Sequence, residues 1–99
     1  MRKPMSEKEI ERRLIQAVKS RGGLCYKFVS PNCVGVPDRI IITPQGRVIF
    51  VELKTETGRL SKIQAHQIAE MRKRGADVRV AKGLSAVNQL LEEIMPNGI

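Results

Sequence analysis

Two apolar runs joined by a short turn are the feature that most constrains how this chain can fold. Residues 40–42 are three isoleucines, residues 48–51 read Val-Ile-Phe-Val, and Thr43-Pro44-Gln45-Gly46-Arg47 connects them. β-Branched and aromatic residues in such runs favour strands. The proline suits the second position of a type I turn, and the glycine suits the left-handed position that completes a three-residue hairpin loop. The segment therefore predicts an antiparallel hairpin in which the first and last of the five connecting residues pair.

This hairpin gathers three charged residues at one end of the predicted sheet. Counting outward from the turn, Ile41 faces Ile49 and Asp38 faces Glu52, and directly opposed residues have Cβ atoms about 5 Å apart on one face. Lys54 shares that face because strand side chains alternate. Two carboxylates this close repel each other unless a divalent cation lies between them. A two-residue turn would shift the register by one residue and move Asp38 to a neighbouring position, so the pairing depends on the turn type.

The composition indicates one basic domain that binds a polyanion. The chain has 99 residues, a formal net charge of +8 and 41% hydrophobic residues, which predicts a single domain over residues 1–99 with a thin core. Nucleic acid is the simplest partner for this charge, although one Tyr, two Phe and no Trp argue against a base-stacking platform. The two cysteines lack zinc-ligand spacing. Without an apolar span or signal segment, we expect a soluble, intracellular, cytoplasmic protein with no membrane partner.

Hydrophobic periodicity predicts the order helix, three strands, helix, strand, helix. Outside the hairpin, we expect helices over residues 6–21, from residue 61 to just before Gly75, and from residue 84 or 85 to just before Pro96, with strands over residues 24–29 and 77–81. A strand–helix–strand passage requires a parallel pairing, most simply a right-handed one. The expected fold class is therefore α/β, with a mixed sheet flanked by helices.

One acidic residue of the first helix, or two, projects toward the sheet. At about 100° per residue, Glu11 lies in the apolar stripe of this helix, and Glu7 lies one turn earlier on the same stripe. Acidic residues are favoured in a first helical turn, which is a sufficient explanation for Glu7. Glu11 lies further in and needs another partner, such as a cation or Lys54. We therefore favour Glu11 as the helical acid of the site, and Glu7 stays open as the alternative.

The combination of Pro37-Asp38 with Glu52-Leu53-Lys54 on the next strand resembles the PD-(D/E)xK nuclease superfamily. The chain resembles the VRR-NUC family more closely still. Three segments carry this resemblance: Gly35-Val36-Pro37-Asp38-Arg39, Val51-Glu52-Leu53-Lys54, and Gly58-Arg59-Leu60-Ser61 followed by Gln64. Each motif is short and recurs by chance, but their combination in the right strands is much more specific. The resemblance covers residues 6–94 and implies a restriction-endonuclease-like core in the order αβββαβα. The small size resembles stand-alone, virus-type members, which implies a phage-encoded protein.

The resemblance also implies a role for each site residue. Asp38 and Glu52 would bind Mg²⁺ or Mn²⁺, with the backbone carbonyl of Leu53 as a further ligand. Lys54 would orient or deprotonate the attacking water. Two further residues complete the implied site: Glu11, which would contact the metal directly or through water, and Gln64, which would help hold the lysine or the water.

The expected activity is metal-dependent hydrolysis of DNA. By resemblance to the stand-alone members, the expected substrate is a four-way (Holliday) junction, and the expected partner is branched or duplex DNA. A resolving enzyme must cut two strands and needs two active sites, so a homodimer is expected. The basic residues nearest the predicted site are expected to contact phosphate: Lys27, Arg39, Arg59 and Lys62. Two alternatives stay open, namely a non-catalytic basic DNA-binding module and a flap or nicking nuclease on the same fold.

Overall fold

The structure, a computed structural model, describes residues 3–96. In chain order its elements are α1 (Glu7–Ser20), β1 (Leu24–Lys27), β2 (Arg39–Ile42), β3 (Val48–Lys54), α2 (Lys62–Lys73), β4 (Val78–Lys82) and α3 (Gly83–Ile94). The predicted αβββαβα order is confirmed. The predicted domain also includes residues 1–2 and 97–99, which lie outside the described residues. No helix between residues 3 and 96 has the length and apolar character needed to cross a membrane.

Side-chain caps set where α1 and α2 begin. The Ser6 hydroxyl accepts a hydrogen bond from the backbone N–H of Glu9 at 3.2 Å. Ser6 and Glu9 have the spacing of a capping box, but only this half of it is formed among the described residues, since the Glu9 carboxylate lies 3.9 Å from Arg12 instead. In α2 the box is complete, because Ser61 and Gln64 exchange hydrogen bonds of 2.9 and 3.1 Å. Such caps pair backbone donors that the helix itself leaves free.

The hairpin between β2 and β3 has the predicted turn. Thr43 N–H donates to the carbonyl of Arg47 at 2.9 Å, and Gly46 N–H donates to the carbonyl of Thr43 at 2.8 Å. Gly46 has a φ of 88°, which favours glycine. Ile41 consequently pairs with Ile49, as expected. The turn type therefore sets the register of the strands that carry the charged residues.

The sheet is mixed, with strand order β1-β2-β3-β4. The first three strands are antiparallel, and β4 pairs parallel to β3 after the crossover through α2. α1 and α3 cover one face and form the main core with the sheet. Its fully buried side chains include Ile10, Leu14, Ile41, Ile49, Val51, Leu53 and Leu91. Each contributes about 1.5–3 kcal/mol through burial, which makes this face the principal source of stability.

The opposite face of the sheet is only partly covered. α2 packs mainly against β4, and its buried residue is Ile68. Alternate residues of β3 point to this side, so Glu52 and Lys54 face the α2 side while Leu53 faces the core. The site residues thus lie on the thinner side of the molecule, next to the start of α2.

An ion-pair network anchors the start of β4. Arg79 donates to Asp77 at 2.6 Å and to Glu93 at 2.8 Å, and Arg47 donates to Asp77 at 3.0 Å. The hydrogen bond from Arg79, together with the neighbouring positive charges, holds the pKa of Asp77 below its ordinary value of 3.8. The network therefore ties the hairpin turn to β4 and α3.

Candidate active site

Two carboxylates meet where the ladder between β2 and β3 ends. The last ladder pair in this direction is Arg39 with Val51. The next N–H on that side of β3, from Leu53, donates to the side-chain Oδ2 of Asp38 at 3.3 Å. The backbone carbonyl of Asp38 accepts from Phe28 N–H at 2.8 Å. Asp38 is thus held by its backbone to Phe28, the residue after β1, and by its carboxylate to β3.

Glu52 is the buried carboxylate of the pair, with 1% of its surface exposed. Its Oε2 accepts a hydrogen bond from Gln64 Nε2 at 3.3 Å and lies 3.7 Å from Lys54 Nζ. Its Oε1 is also buried, yet it accepts no hydrogen bond from any residue between 3 and 96. Burying a carboxylate oxygen without a donor is unfavourable, because the oxygen loses its hydrogen bonds to water and forms none with the protein.

The electrostatics of the pair favour an additional positive charge. Burial, together with the negative charge of Asp38 and a hydrogen bond to it, raises the pKa of Glu52 from 4.5 to about 7. Lys54 lowers this pKa, whereas the charge of Glu7 adds to the rise. The single ammonium group therefore does not compensate for two neighbouring carboxylates and their removal from water.

The chemistry of these donors fits a hard divalent cation. Carboxylate oxygens are the ligands that Mg²⁺ and Mn²⁺ prefer, and the unpaired Oε1 of Glu52 is free to serve as one. No group of three or more His, Cys, Asp or Glu side chains within residues 3–96 is arranged to hold a metal. Mg²⁺ commonly uses one or two carboxylates and fills its other positions with water and substrate phosphate. The backbone carbonyl of Leu53 points to the side of β3 where Asp38 lies, because N–H and C=O of one strand residue face the same neighbour.

The two acidic residues of α1 occupy different environments. Glu11 accepts a hydrogen bond from Arg39 Nε at 3.1 Å, and these two side chains are 32% and 13% exposed. The charge of Glu7, by contrast, contributes to the raised pKa of Glu52. The structure therefore pairs Glu11 with an arginine and leaves Glu7 as the helical acid whose field reaches the carboxylate pair. Sequence reasoning missed this ion pair, although Arg39 lies two residues before the core-facing Ile41 and therefore points to the same side of the sheet, toward α1.

A glycine contact positions the loop that carries Asp38. Gly35 has a φ of 91°, and a Cβ atom at this position would lie 2.9 Å from the carbonyl oxygen of Ile63 in α2. The loop therefore packs backbone to backbone against the start of α2, the helix that also carries Gln64. No periodic pattern in the sequence indicated this contact. The only local signal for it was the glycine that begins the segment Gly35-Val36-Pro37-Asp38.

The predicted phosphate-binding residues divide into two groups. Lys27, Arg59 and Lys62 are exposed and form no ion pair with another residue of the described chain. Arg39 is mostly buried against Glu11. The structure thus brings Asp38, Glu52, Lys54 and Gln64 together, keeps three cations accessible, and engages the fourth in an internal ion pair.

Comparisons with known proteins identify the family and the fold of the chain. The sequence model of the VRR-NUC domain matches residues 5–85. A protein described as "Putative nuclease p44", from Acyrthosiphon pisum secondary endosymbiont phage 1, is 38% identical over 90 residues, covering 91% of this chain and 91% of the phage protein. A solved VRR-NUC domain with 30% identity superposes with a TM-score of 0.83, covering 89% of this chain and 96% of the other. A solved VRR-NUC domain protein shares the fold at 19% identity, with a TM-score of 0.76 over 97% and 93% of the two chains. The chain therefore belongs to the VRR-NUC family of nuclease domains.

Proposed function

We propose that this chain is a metal-dependent endonuclease that hydrolyses phosphodiester bonds in DNA. One observation carries the proposal: the buried carboxylate of Glu52, with an unpaired oxygen, lies beside Asp38 and is held by Lys54 and Gln64. A structural ion pair would not need a second carboxylate, nor leave an oxygen without a donor. The net charge of +8 supports a polyanionic substrate.

The residues have distinct roles in this proposal. Asp38, Glu52 and the Leu53 carbonyl would hold Mg²⁺ or Mn²⁺, which would stabilise charge on the phosphoryl oxygens and make bound water more acidic. Lys54 Nζ would orient the attacking water or take its proton, and Gln64 would keep Glu52 in one orientation. The water oxygen bonds to phosphorus while the bond to the 3′ oxygen breaks, and that oxygen receives a proton. The products are a 5′-phosphate and a 3′-hydroxyl.

The finer proposal concerns the substrate, which we take to be branched DNA, in particular a four-way junction. Cutting such a junction symmetrically requires two active sites, and each chain offers one, so the active species would be a homodimer. The exposed cations Lys27, Arg59 and Lys62 would contact phosphates. Membership of a nuclease family supports the class of reaction, and the likeness to stand-alone members supports this choice of substrate.

A cleavage assay tests the proposal directly. The purified chain would be incubated with labelled four-way junction, flap and linear duplex DNA, each with Mg²⁺, with Mn²⁺ and with chelator. We expect cleavage only with metal, and fastest on the junction. Asp38→Asn should abolish cleavage but retain DNA binding, and Lys54→Ala should lose most of the rate. The control Glu92→Gln changes an exposed carboxylate of α3 and should cleave normally. Cleavage by wild type in chelator, or unchanged cleavage by Asp38→Asn, would refute the assignment.

Metal binding separates a nuclease from a DNA-binding module with an inactive site. Calorimetry with Mn²⁺ should detect binding to wild type and none to Asp38→Asn. If Mn²⁺ bound to neither protein, the result would favour a DNA-binding module without catalytic activity. The same titration assigns the helical acid, because Glu7→Gln should weaken Mn²⁺ binding more than Glu11→Gln if the charge of Glu7 acts on the site. The reverse order would return that role to Glu11.

A further inference from the structure

A loop without charged residues lies beside the candidate active site. Residues 28–37, which connect β1 to β2, include no Asp, Glu, Lys or Arg, in a chain where 28% of residues are charged. The N–H of Phe28 donates to the carbonyl of Asp38 at 2.8 Å and closes the loop at its base. The carboxylate of Asp38 therefore lies at one end of an uncharged loop.

Two exposed apolar residues lie where this loop contacts α2. Val34 is 73% exposed and Ile63 is 43% exposed. A Cβ atom at Gly35, the residue after Val34, would lie 3.0 Å from the side-chain Cγ1 of Ile63, so the loop and the first turn of α2 are in direct contact here. The next residue of α2, Gln64, donates to Glu52. We call Val34 and Ile63 the apolar patch, and it lies next to the residues of the site.

Exposed cations lie close to the apolar patch along the chain. Lys62 immediately precedes Ile63, Arg59 lies two residues before the N-cap of α2, and Lys27 immediately precedes the uncharged loop. All three cations are exposed and form no ion pair with another residue of the described chain. The patch is therefore an apolar surface accompanied by groups that bind phosphate, and this combination favours a nucleic acid as its occupant.

The faces of the bases are the apolar surface that DNA carries next to its phosphates. In an uninterrupted duplex these faces are stacked on one another, and only the edges of the base pairs are accessible in the grooves. Base faces become accessible where stacking is interrupted, and proteins insert apolar side chains such as isoleucine at such steps. A branch point is an interruption of this kind, whereas a plain duplex must first be unstacked. An apolar patch beside a phosphate-cleaving site therefore fits branched DNA better than linear duplex.

We propose that the apolar patch recognises the branch point of the DNA substrate by packing against base faces that are not stacked there. The net charge of +8 attracts the chain to any DNA and does not distinguish branched from linear forms. The patch, by contrast, is buried only where bases are exposed. Because the loop ends at Asp38 and α2 carries Gln64, binding at the patch would place the cleaved phosphate near the branch. This inference rests on the proposed function for its DNA substrate, and it names the residues that select the branched form.

DNA binding in chelator, where no cleavage is expected, tests the inference by fluorescence anisotropy. The probes are a labelled four-way junction and a linear duplex with the sequence of two of its arms. Wild type should bind the junction more tightly than the duplex. The double variant with Val34→Ser and Ile63→Ser should lose about 10-fold in affinity for the junction, because two aliphatic side chains no longer gain burial there, and should keep its affinity for the duplex. Val34→Ser alone, at the more exposed position, should act in the same direction.

Matched variants separate recognition of the branch from effects on folding. Val48→Ser makes the same change at a residue that is 47% exposed and lies about 13 Å from Glu52 along β3, so it should bind both probes as wild type does. The double variant with Val34→Ile and Ile63→Leu keeps an apolar surface and should retain the preference for the junction. Circular dichroism would check that each variant is folded.

The fluorescence of 2-aminopurine, an adenine analogue that brightens when it is unstacked, reports the contact with the bases. Placed at the branch point, the analogue should brighten when wild type binds, and it should not do so in the middle of an arm. The double serine variant, at a concentration that saturates the junction, should remove this difference between the two positions.

Four results would overturn the inference: a wild type that binds junction and duplex equally, a double serine variant that binds the junction as tightly as wild type, an equal loss of affinity for both probes, or an equal loss in Val48→Ser. The second result would leave a protein partner as the occupant of the patch. Cleavage with Mg²⁺ is read separately. A wild type that prefers the junction but cleaves no DNA would refute the nuclease and keep the inference. A double serine variant that binds and cleaves the junction as wild type does would refute the inference and keep the function.

Discussion

Replacing Glu52 with glutamine is expected to stabilise the metal-free protein at neutral and alkaline pH. The pKa of Glu52 is about 7 in the folded chain against an ordinary value of 4.5. Below pH 4.5 the carboxyl is protonated in both the folded and the unfolded chain, so its ionisation does not change the free energy of unfolding. Between these two values the unfolded chain loses its proton first, so the free energy of unfolding falls as the pH rises. At 1.36 kcal/mol per pH unit, the loss above pH 7 totals about 3 kcal/mol.

Glutamine has the shape of glutamate without the charge, and its carbonyl oxygen still accepts the hydrogen bond from Gln64. Glu52→Gln should therefore be more stable than wild type by about 2–3 kcal/mol at alkaline pH, which corresponds to a rise of roughly 1–2 M in the urea midpoint. Urea unfolding across the acidic to alkaline range, in chelator, measures the difference. The control is Glu92→Gln, because that carboxylate side chain is 62% exposed and should show no such pH dependence.

Two results would contradict this reasoning. If the stability gain of Glu52→Gln were the same in acid as in alkali, ionisation of the buried carboxyl would not be its cause. If wild type showed no loss of stability between pH 4.5 and about 7, the pKa of Glu52 would not be raised. Addition of Mg²⁺ at alkaline pH extends the test, because a metal held by Glu52 should stabilise wild type and not the variant. Equal stabilisation of both would show that the cation binds elsewhere.

Three further predictions concern the loop, the ion-pair network and DNA binding. Gly35→Ala should lower the free energy of unfolding by about 1–3 kcal/mol, measured in urea, since its Cβ would meet the carbonyl of Ile63; Gly46→Ala has a similar φ but open space around it, so an equal loss there would refute the steric part of the argument. Asp77→Asn should lower the free energy of unfolding by up to about 1 kcal/mol at neutral pH. This loss should vanish as the pH falls through the lowered pKa of Asp77, because the hydrogen bond from Arg79 stabilises only the ionised carboxylate. A difference between wild type and variant that persisted in thermal unfolding at acid pH would refute the prediction. If Lys27, Arg59 and Lys62 each contact a phosphate, raising the salt concentration from about 50 to about 200 mM should weaken DNA binding about 40-fold in a titration. An affinity that does not change with salt would argue against these contacts.

Features that depend on neighbouring residues were predictable from the sequence. The five-residue turn determined the hairpin and therefore its register, because glycine at the left-handed position and proline after the first residue leave few other geometries. Once Ile41 pairs with Ile49, strand alternation alone directs Glu52 and Lys54 to one side and Leu53 to the other. The start of α2 was equally local, since Ser61 and Gln64 are three residues apart and cap each other.

Features that depend on how distant elements dock were harder to predict. Glu11 and Glu7 lie on one helical stripe, so periodicity could not decide which of them acts on the site. The structure adds that Glu11 pairs with Arg39, a contact that depends on how α1 packs over the sheet. The backbone contact between Gly35 and α2 likewise depends on how the crossover helix settles on the sheet.

The sequence by itself therefore determined the order of the elements, the hairpin register and the residues that meet as a carboxylate pair, because each follows from short-range sterics and hydrogen bonding. Only the tertiary structure decided how deeply Glu52 is buried, that Glu11 pairs with Arg39, and which half of the sheet stays uncovered. These properties are set by which surfaces pack together, and the packing of distant segments depends on the shape of the whole chain rather than on any local pattern.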